Sequence, residues 1–228
     1  FLAKREHQKN LPSVLQKALK RANLLFEKID LIGVTVGPGL EPCLWTGVNF
    51  AKDLAKKLKV PIIPVNHIEA HILANWLSPI PSNSQFSIFN FQKIFPAVCL
   101  VVSGGHTQLI LMKDIGKYKI LGETRDDAAG ECLDKAARIL GLGYPGGPVI
   151  AKLAQKHLGQ TWVKLPRPMI YQKNYDFSFS GLKTAVLYLT KQPEISKKLK
   201  AKSYKLKADI CAEIQQSVID VLIHKTIN

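Results

Sequence analysis

The sequence predicts an α/β protein of two lobes, and three observations carry that prediction. Apolar spacing first alternates between helix-like and strand-like runs. Residues 78–92 (SPIPSNSQFSIFNFQ) then lose all periodicity and collect proline, serine and asparagine, which reads as a linker. Beyond it, consecutive short strands precede the helices instead of alternating with them. The expected division is a first lobe over residues 1–92, whose end is the linker at about 78–92, and a second lobe over 93–228.

The elements follow in order. Asn10 to Phe26 carries a helical stripe through Leu11, Val14, Leu15, Ala18, Leu19, Ala22 and Leu25. Ile29 to Val36 is an apolar, β-branched strand that stops at Gly37-Pro38-Gly39. Helical spacing returns over Pro42 to Lys59, with lysines in the last turn. Val60 to Val65 reads as a strand and His67 to Leu77 as a helix. This alternation implies parallel strands joined by crossover helices. In the second lobe, Phe95 to Val102, His106 to Met112 and Tyr118 to Gly122 read as strands, with helices expected over Ala128 to Leu140 and Pro148 to Leu158. Antiparallel strands followed by a helix are how each half of the actin, Hsp70 and sugar-kinase fold begins.

Composition narrows the functional classes. The 228 residues, 46% hydrophobic, suffice for one large domain or two small lobes with cores, as in an ordinary soluble protein. The longest useful apolar run, Phe95 to Val102, is far shorter than the roughly 20 residues of a spanning helix. The opening residues FLAKREHQKN carry no signal-peptide core and no initiating methionine, so a truncated, cytoplasmic chain is expected. Cys43, Cys99, Cys132 and Cys211 form no Cys-x-x-Cys pair, which favours inert thiols in a reducing compartment. The net charge of +15 fits a polyanionic partner such as RNA, or a lysine-rich proteome.

The sharpest chemical signal is Asn66-His67-Ile68-Glu69-Ala70-His71. Helical residues four apart differ by about 40° in direction, so His67 and His71 share a face. Two such imidazoles can share a metal ion, or simply be two partly exposed histidines. A His-Glu-x-x-His protease is disfavoured, because Ile68 stands where the general base belongs. Asn66 suits an N-cap, with Glu69 at the third helical position.

Other segments are individually ambiguous. Val101-Val102-Ser103-Gly104-Gly105-His106-Thr107 is a strand, glycine turn and strand. Its glycines permit positive φ and close approach to phosphate, or merely a hairpin. Gly37-Pro38-Gly39 and Gly143 to Pro148 each precede a helix, where an anion can rest or the helix is simply punctuated. Asp126, Asp127, Glu131 and Asp134 are carboxylates suited either to the helix dipole or to a ribose or metal-bound phosphate. Asp176 to Lys183 reads as a loop docked by two phenylalanines, with Ser180 as N-cap of the next helix. Lys191 to Lys207, with seven lysines and one glutamate, reads as a solvated face, a mobile loop or an RNA contact.

Together, and in this order, TVGPGL, PVNHIEAH, LVVSGGHTQL, LGETRDDAAGECLDKAARILGLGYPGGP and DFSFSGLKTAV resemble the tRNA adenosine threonylcarbamoyltransferases, formerly called O-sialoglycoprotein endopeptidases, in wording closest to the bacterial branch. The resemblance implies an α/β, actin-like ATPase duplication of two RNase H-like lobes (the ASKHA fold), here incomplete at both termini. It implies that His67 and His71 are metal ligands for iron or zinc. It also implies that Val101, Val102, Ser103, Gly104 and Gly105 contact the substrate nucleotide, joined by Asp134 and Gly147. No residue is implied as a general base. The donor would be threonylcarbamoyl-AMP, with ATP as a further ligand, and the acceptor the exocyclic amine of adenosine 37 in tRNAs reading codons that begin with A. Implied partners are tRNA, a related scaffold subunit of the same fold and a small ATPase subunit, with no membrane.

The family's opening strand would precede Phe1, and its closing Gly-Gly-Val-x-x-Asn turn and metal-binding aspartate would follow Asn228. These residues alone are therefore expected to bind metal weakly and not to turn over. The rival readings are a non-catalytic scaffold of the same fold and a small-molecule kinase of the same fold.

Overall fold

The computed structural model describes residues 2–76, 94–157, 159, 162–201 and 203–227. Contacts divide the chain into Phe1–Phe89 and Asn90–Asn228. The proposed linker over residues 78–92 lies outside the described residues.

In the first unit, α1 (Leu2–Ala22) begins eight residues before the expected Asn10. Residues 2–9 lack an apolar stripe but are mostly strong helix formers, so periodicity missed what propensity supplies. The helix stops where Asn23 turns left-handed at φ 52° and Leu24 N–H reaches back to Leu19 O at 3.0 Å. Strand β1 (Ile32–Gly37) pairs in parallel with β2 (Ile62–Asn66), Ile32 opposite Ile62 and Thr35 opposite Val65. The crossover between them is α2 (Glu41–Leu58), which buries Thr46, Ala51 and Ala55 and ends at a left-handed Lys59. A parallel pair requires such a crossover, as the alternation of patterns implied. Helix α3 (His67–Leu73) follows β2 directly and continues as a 3₁₀ turn through Trp76.

The second unit opens with an antiparallel sheet in the order β3 (Ala97–Val102), β4 (Thr107–Asp114), β5 (Lys117–Glu123). Helices α4 (Ala129–Ile139), α5 (Gly146–Ala154), α6 (Ser180–Lys191), α7 (Pro193–Lys200) and α8 (Tyr204–Ile227) complete it. Helix α5 starts two residues before the expected Pro148, because the two glycines before it take helical backbone, and it closes at Ala154. The expected end, Leu158, is not among the described residues.

The core joins Leu109 of β4 to Cys132 and Ala136 of α4, Leu182 and Val186 of α6, and Ile210, Ile214 and Val218 of α8. Small residues on α4 let its neighbours approach closely. Helix α8 is buried on more than one side, since Ala208 to Cys211 are buried in succession and Asp209, Glu213 and Ser217 are buried with them. Phe177 and Phe179 are fully buried and stacked, 6.4 Å apart, as docking residues of the segment before α6. Much of the lysine run is helical: α7 is anchored through buried Ile195 and leaves Lys197, Lys198 and Lys200 solvated. Among the described residues no helix is long and apolar enough to cross a membrane.

Candidate metal and nucleotide site

The histidine pair is built by the start of α3. Asn66 ends β2, and its side-chain oxygen accepts the amides of Ile68 (2.9 Å) and Glu69 (3.1 Å), as an N-cap should. Ile68 and Ile72 bury one face of the helix, which turns His67 and His71 away from the packing. The two rings meet edge to face with centroids 4.5 Å apart, and their Nε2 atoms lie 3.2 Å apart. His67 is half-buried and His71 exposed.

That arrangement fits a metal ion. Two imidazole nitrogens each about 2.1 Å from one ion stand this far apart at an angle of about 100°, between octahedral and tetrahedral values. Among the described residues, no group of three or more histidine, cysteine, aspartate or glutamate side chains gathers to hold an ion. Among the described residues, the candidate donors are thus two imidazole nitrogens.

In the second unit, the turn Ser103-Gly104-Gly105-His106 joins β3 to β4. Ser103 N–H donates to His106 O at 2.8 Å, while Ser103 Oγ accepts the amides of Gly105 (3.2 Å) and His106 (2.9 Å). Of the three turn amides expected to face a phosphate, those of Ser103 and Gly105 are thus engaged within the turn, and Gly104 N–H has no partner among the described residues. Neither Gly104 nor Gly105 has positive φ, and a Cβ on either would meet open space. Their value is access, not backbone freedom.

The turn rests on α4. Ala129 N–H donates to the buried Thr107 Oγ1 at 2.9 Å and Gly130 N–H to Ser103 O at 3.2 Å. The hairpin thereby satisfies two of the orphan amides of the helix start. A Cβ at Gly130 would lie 2.7 Å from Ser103 O, so this position admits only glycine without rearrangement. Its sequence signal was a lone glycine inside a helical pattern, which marks close backbone approach.

The acidic residues around this helix have separate tasks. Asp126 accepts the amides of Phe179 (2.8 Å) and Ser180 (3.1 Å) and the hydroxyls of Ser178 (2.6 Å) and Ser180 (2.7 Å). Burial pushes its carboxyl up, but these four hydrogen bonds outweigh that and hold it below the ordinary carboxylate value. The expected N-cap role of Ser180 is overturned. Ser180 is the first residue of α6, and the cap is the Asp126 carboxylate, distant in sequence, which accepts more bonds than a hydroxyl.

Asp127 is buried and pairs with Lys135, with Lys183 3.6 Å from its Oδ2. That Oδ2 has no hydrogen bond among the described residues. Hydrogen bonds to Asp127 and Glu131 push Lys135 up to about 12. The sequence singled out Asp127 only as one of four carboxylates, because nothing in its neighbours marks it, and not Asp126, as the buried one.

Asp134 and Gly147 are brought close together. Asp134 Oδ1 accepts the Gly146 amide at 2.7 Å, joining α4 to the start of α5. Gly146 is buried, and a Cβ there would lie 2.6 Å from Ala137 Cβ. Gly147 stands half-open, its nearest atom being Leu133 Cδ1 at 3.9 Å from such a Cβ. Of the other glycine segments, Gly37-Pro38-Gly39 leads to a helix whose first turn already carries the Glu41 carboxylate, a poor seat for an anion.

The profile of the tRNA N6-adenosine threonylcarbamoyltransferase family matches residues 1–228. A curated relative of that description from Clostridium botulinum (strain Hall) is 47% identical over 227 residues, 99% of this chain and 62% of the relative. Another from Thermosipho africanus is 45% identical over 225 residues, again 99% and 62%. One from Dehalococcoides mccartyi (strain CBDB1) is 46% identical over 229 residues, 100% of this chain and 63% of the relative. This chain thus spans less than two thirds of their length. The mixed helices and sheets of both units agree with the actin-like fold of these enzymes. Matched over its full extent, the chain belongs to the tRNA N6-adenosine threonylcarbamoyltransferase family.

Proposed function

We propose that this chain takes part in transferring a threonylcarbamoyl group from threonylcarbamoyl-AMP to the exocyclic amine of adenosine 37 in tRNAs reading codons that begin with A. The observation that carries the reading is the convergence of His67 Nε2 and His71 Nε2 at 3.2 Å in a chain matched throughout by the family.

His67 and His71 would hold a divalent ion, iron or zinc, both of which accept imidazole ligands. When bound, it would supply positive charge where oxygen becomes negative during carbonyl attack. The amine nitrogen forms a bond to the carbamoyl carbon, the bond from that carbon to the AMP phosphate oxygen breaks, and the amine proton leaves with the phosphate. In this reading Val101 to Gly105 line the nucleotide, with the Gly104 amide donating to the phosphate. Asp134 accepts from the nucleoside through the oxygen that Gly146 does not use. Gly147 leaves room for the adenylate, or for ATP. No general base is assigned.

In this reading the described residues offer two imidazoles, bind metal weakly and do not turn over by themselves. Partners in the reading are tRNA, a scaffold subunit of the same fold and a small ATPase subunit, all in the cytoplasm. Scaffold and kinase readings leave two converging imidazoles without a task.

The test is a chimera in which these residues replace the matching stretch of the Clostridium botulinum relative, supplied with tRNA and threonylcarbamoyl-AMP. Modified adenosine is expected from the chimera and is lost in His67→Ala. A folded chimera that modifies tRNA equally well without His67 would overturn the reading.

A further inference from the structure

Residues 169–176 wrap around the end of α8. Lys225, only 4% exposed, donates to the carbonyls of Gln172 (3.0 Å) and Asn174 (2.6 Å). Those bonds draw backbone oxygens inward. The left-handed Met169 (φ 58°) and the bond from Gln172 N–H to Met169 O help close the curve. Asn174 Oδ1 accepts the Asp176 amide at 3.0 Å, and Asp176 is itself held by Arg125 at 2.7 Å. The loop is therefore fixed from within while its large side chains stand outside.

What stands outside is aromatic and basic. Tyr171 is 84% exposed and meets His224 edge to face at 5.5 Å, and Tyr175 is 45% exposed. Exposed Lys173 lies between them in sequence. These residues line a recess of about 420 Å³ whose solvent-facing lysine is Lys173, the Lys225 ammonium being spent on the inner carbonyls. A core has no use for a tyrosine that bare, and here two exposed rings flank an exposed lysine. Exposed rings beside a lysine match a nucleobase followed by a phosphate, since every base has a π face and every linkage a charge. An acidic peptide would satisfy the lysine but leave the rings idle.

We infer that the Tyr171–Lys173–Tyr175 loop, with His224 beneath it, is an RNA-docking surface that stacks an unpaired base and neutralises a neighbouring phosphate. The assignment of tRNA as the natural occupant rests on the proposed function. The surface itself rests on geometry and charge, which match the net charge of +15 for the chain.

The test is fluorescence anisotropy of this chain with an unmodified tRNA carrying adenosine 37 and with a seven-nucleotide single-stranded RNA, over a range of salt. Tyr171→Ala and Tyr175→Ala are each expected to weaken both complexes by about tenfold or more, because stacking dominates such contacts. Tyr171→Phe keeps the ring and is expected to bind as the parent does. Lys173→Ala is expected to lower the salt slope by about one. Tyrosine-dependent binding of the short RNA with no preference for tRNA would uphold the surface and count against the proposed function. Alanine variants that bind tRNA as tightly as the parent would overturn the surface and leave the proposed function standing. Failure of the parent to bind either RNA, or equal competition by polyglutamate, would also overturn the surface.

Discussion

Asp126 holds the start of a helix that begins 54 residues after it: its Oδ1 accepts the Ser180 amide at 3.1 Å and its Oδ2 the Ser180 hydroxyl at 2.7 Å. The same carboxylate reaches the Phe179 amide, so one side chain ties the loop before α4 to the segment before α6. Replacing it with alanine removes both the cap and the tie. Asp126→Ala is expected to cost about 1–2 kcal/mol, read as a lower urea midpoint.

The same contacts make a prediction in pH. Asp126 is held below the ordinary value, as is Asp176 by its hydrogen bonds from Arg125. A carboxylate whose folded value is depressed contributes stability that is complete above the unfolded value, about 3.9 for aspartate. That stability is lost as pH falls through the lower folded value. Acid titrations of parent and Asp126→Asn should therefore show a smaller loss of stability below about pH 4 in the variant. Equal losses would remove Asp126 from the account.

Gly130→Ala tests the seat of the glycine turn. The added methyl meets Ser103 O at 2.7 Å and Gly104 Cα at 2.9 Å, both backbone. A destabilisation of about 1–3 kcal/mol is expected, as for overpacking. Gly105→Ala, which meets nothing within 4 Å, is expected to leave the urea midpoint close to the parent's.

Gly146 and Gly147 separate fold from binding. Gly146→Ala places a methyl 2.7 Å from Asp134 Cα and should destabilise, again by about 1–3 kcal/mol. Gly147→Ala has room and lies inside α5, where alanine is favoured over glycine by up to about 1 kcal/mol. Its thermal midpoint should hold or rise. If the proposed nucleotide contact is right, its affinity for AMP, measured by calorimetry, should fall all the same.

Thiol labelling provides a check on the core. Burial pushes Cys132 up to about 12, with Asp127 adding to the effect, and burial pushes Cys211 up to about 12 as well. Cys43 and Cys99 are only half-buried. Two thiols should react with an aromatic disulfide reagent in the native protein, and all four only in denaturant.

Much of this was legible in the sequence for an identifiable reason. The spacing of Val48, Ala51 and Ala55 and the run Ile32 to Val36 carry their own periods, so the crossover in the first unit could be read locally. The pairing of His67 with His71 followed from helical pitch and the Asn66 cap. Three features were hidden, each for its own reason. Asp126 capping α6 links positions more than fifty residues apart, and a local pattern favoured Ser180 instead. Engagement of the Gly105 amide depends on the rotamer of the Ser103 hydroxyl, and that of the Ser103 amide on the closure of the turn onto His106 O. The start of α1 was missed because no buried face marks it.

The central claim is that His67 and His71 act as one donor pair, and ring-nitrogen NMR tests it most directly. In a ¹⁵N-histidine sample titrated with Zn²⁺ as the probe, the account predicts that the Nε2 signals of these two residues move together along one binding curve. His7, His106, His157 and His224 should stay in place. Separate curves for the two rings, or no movement of either while metal binds elsewhere, would contradict it.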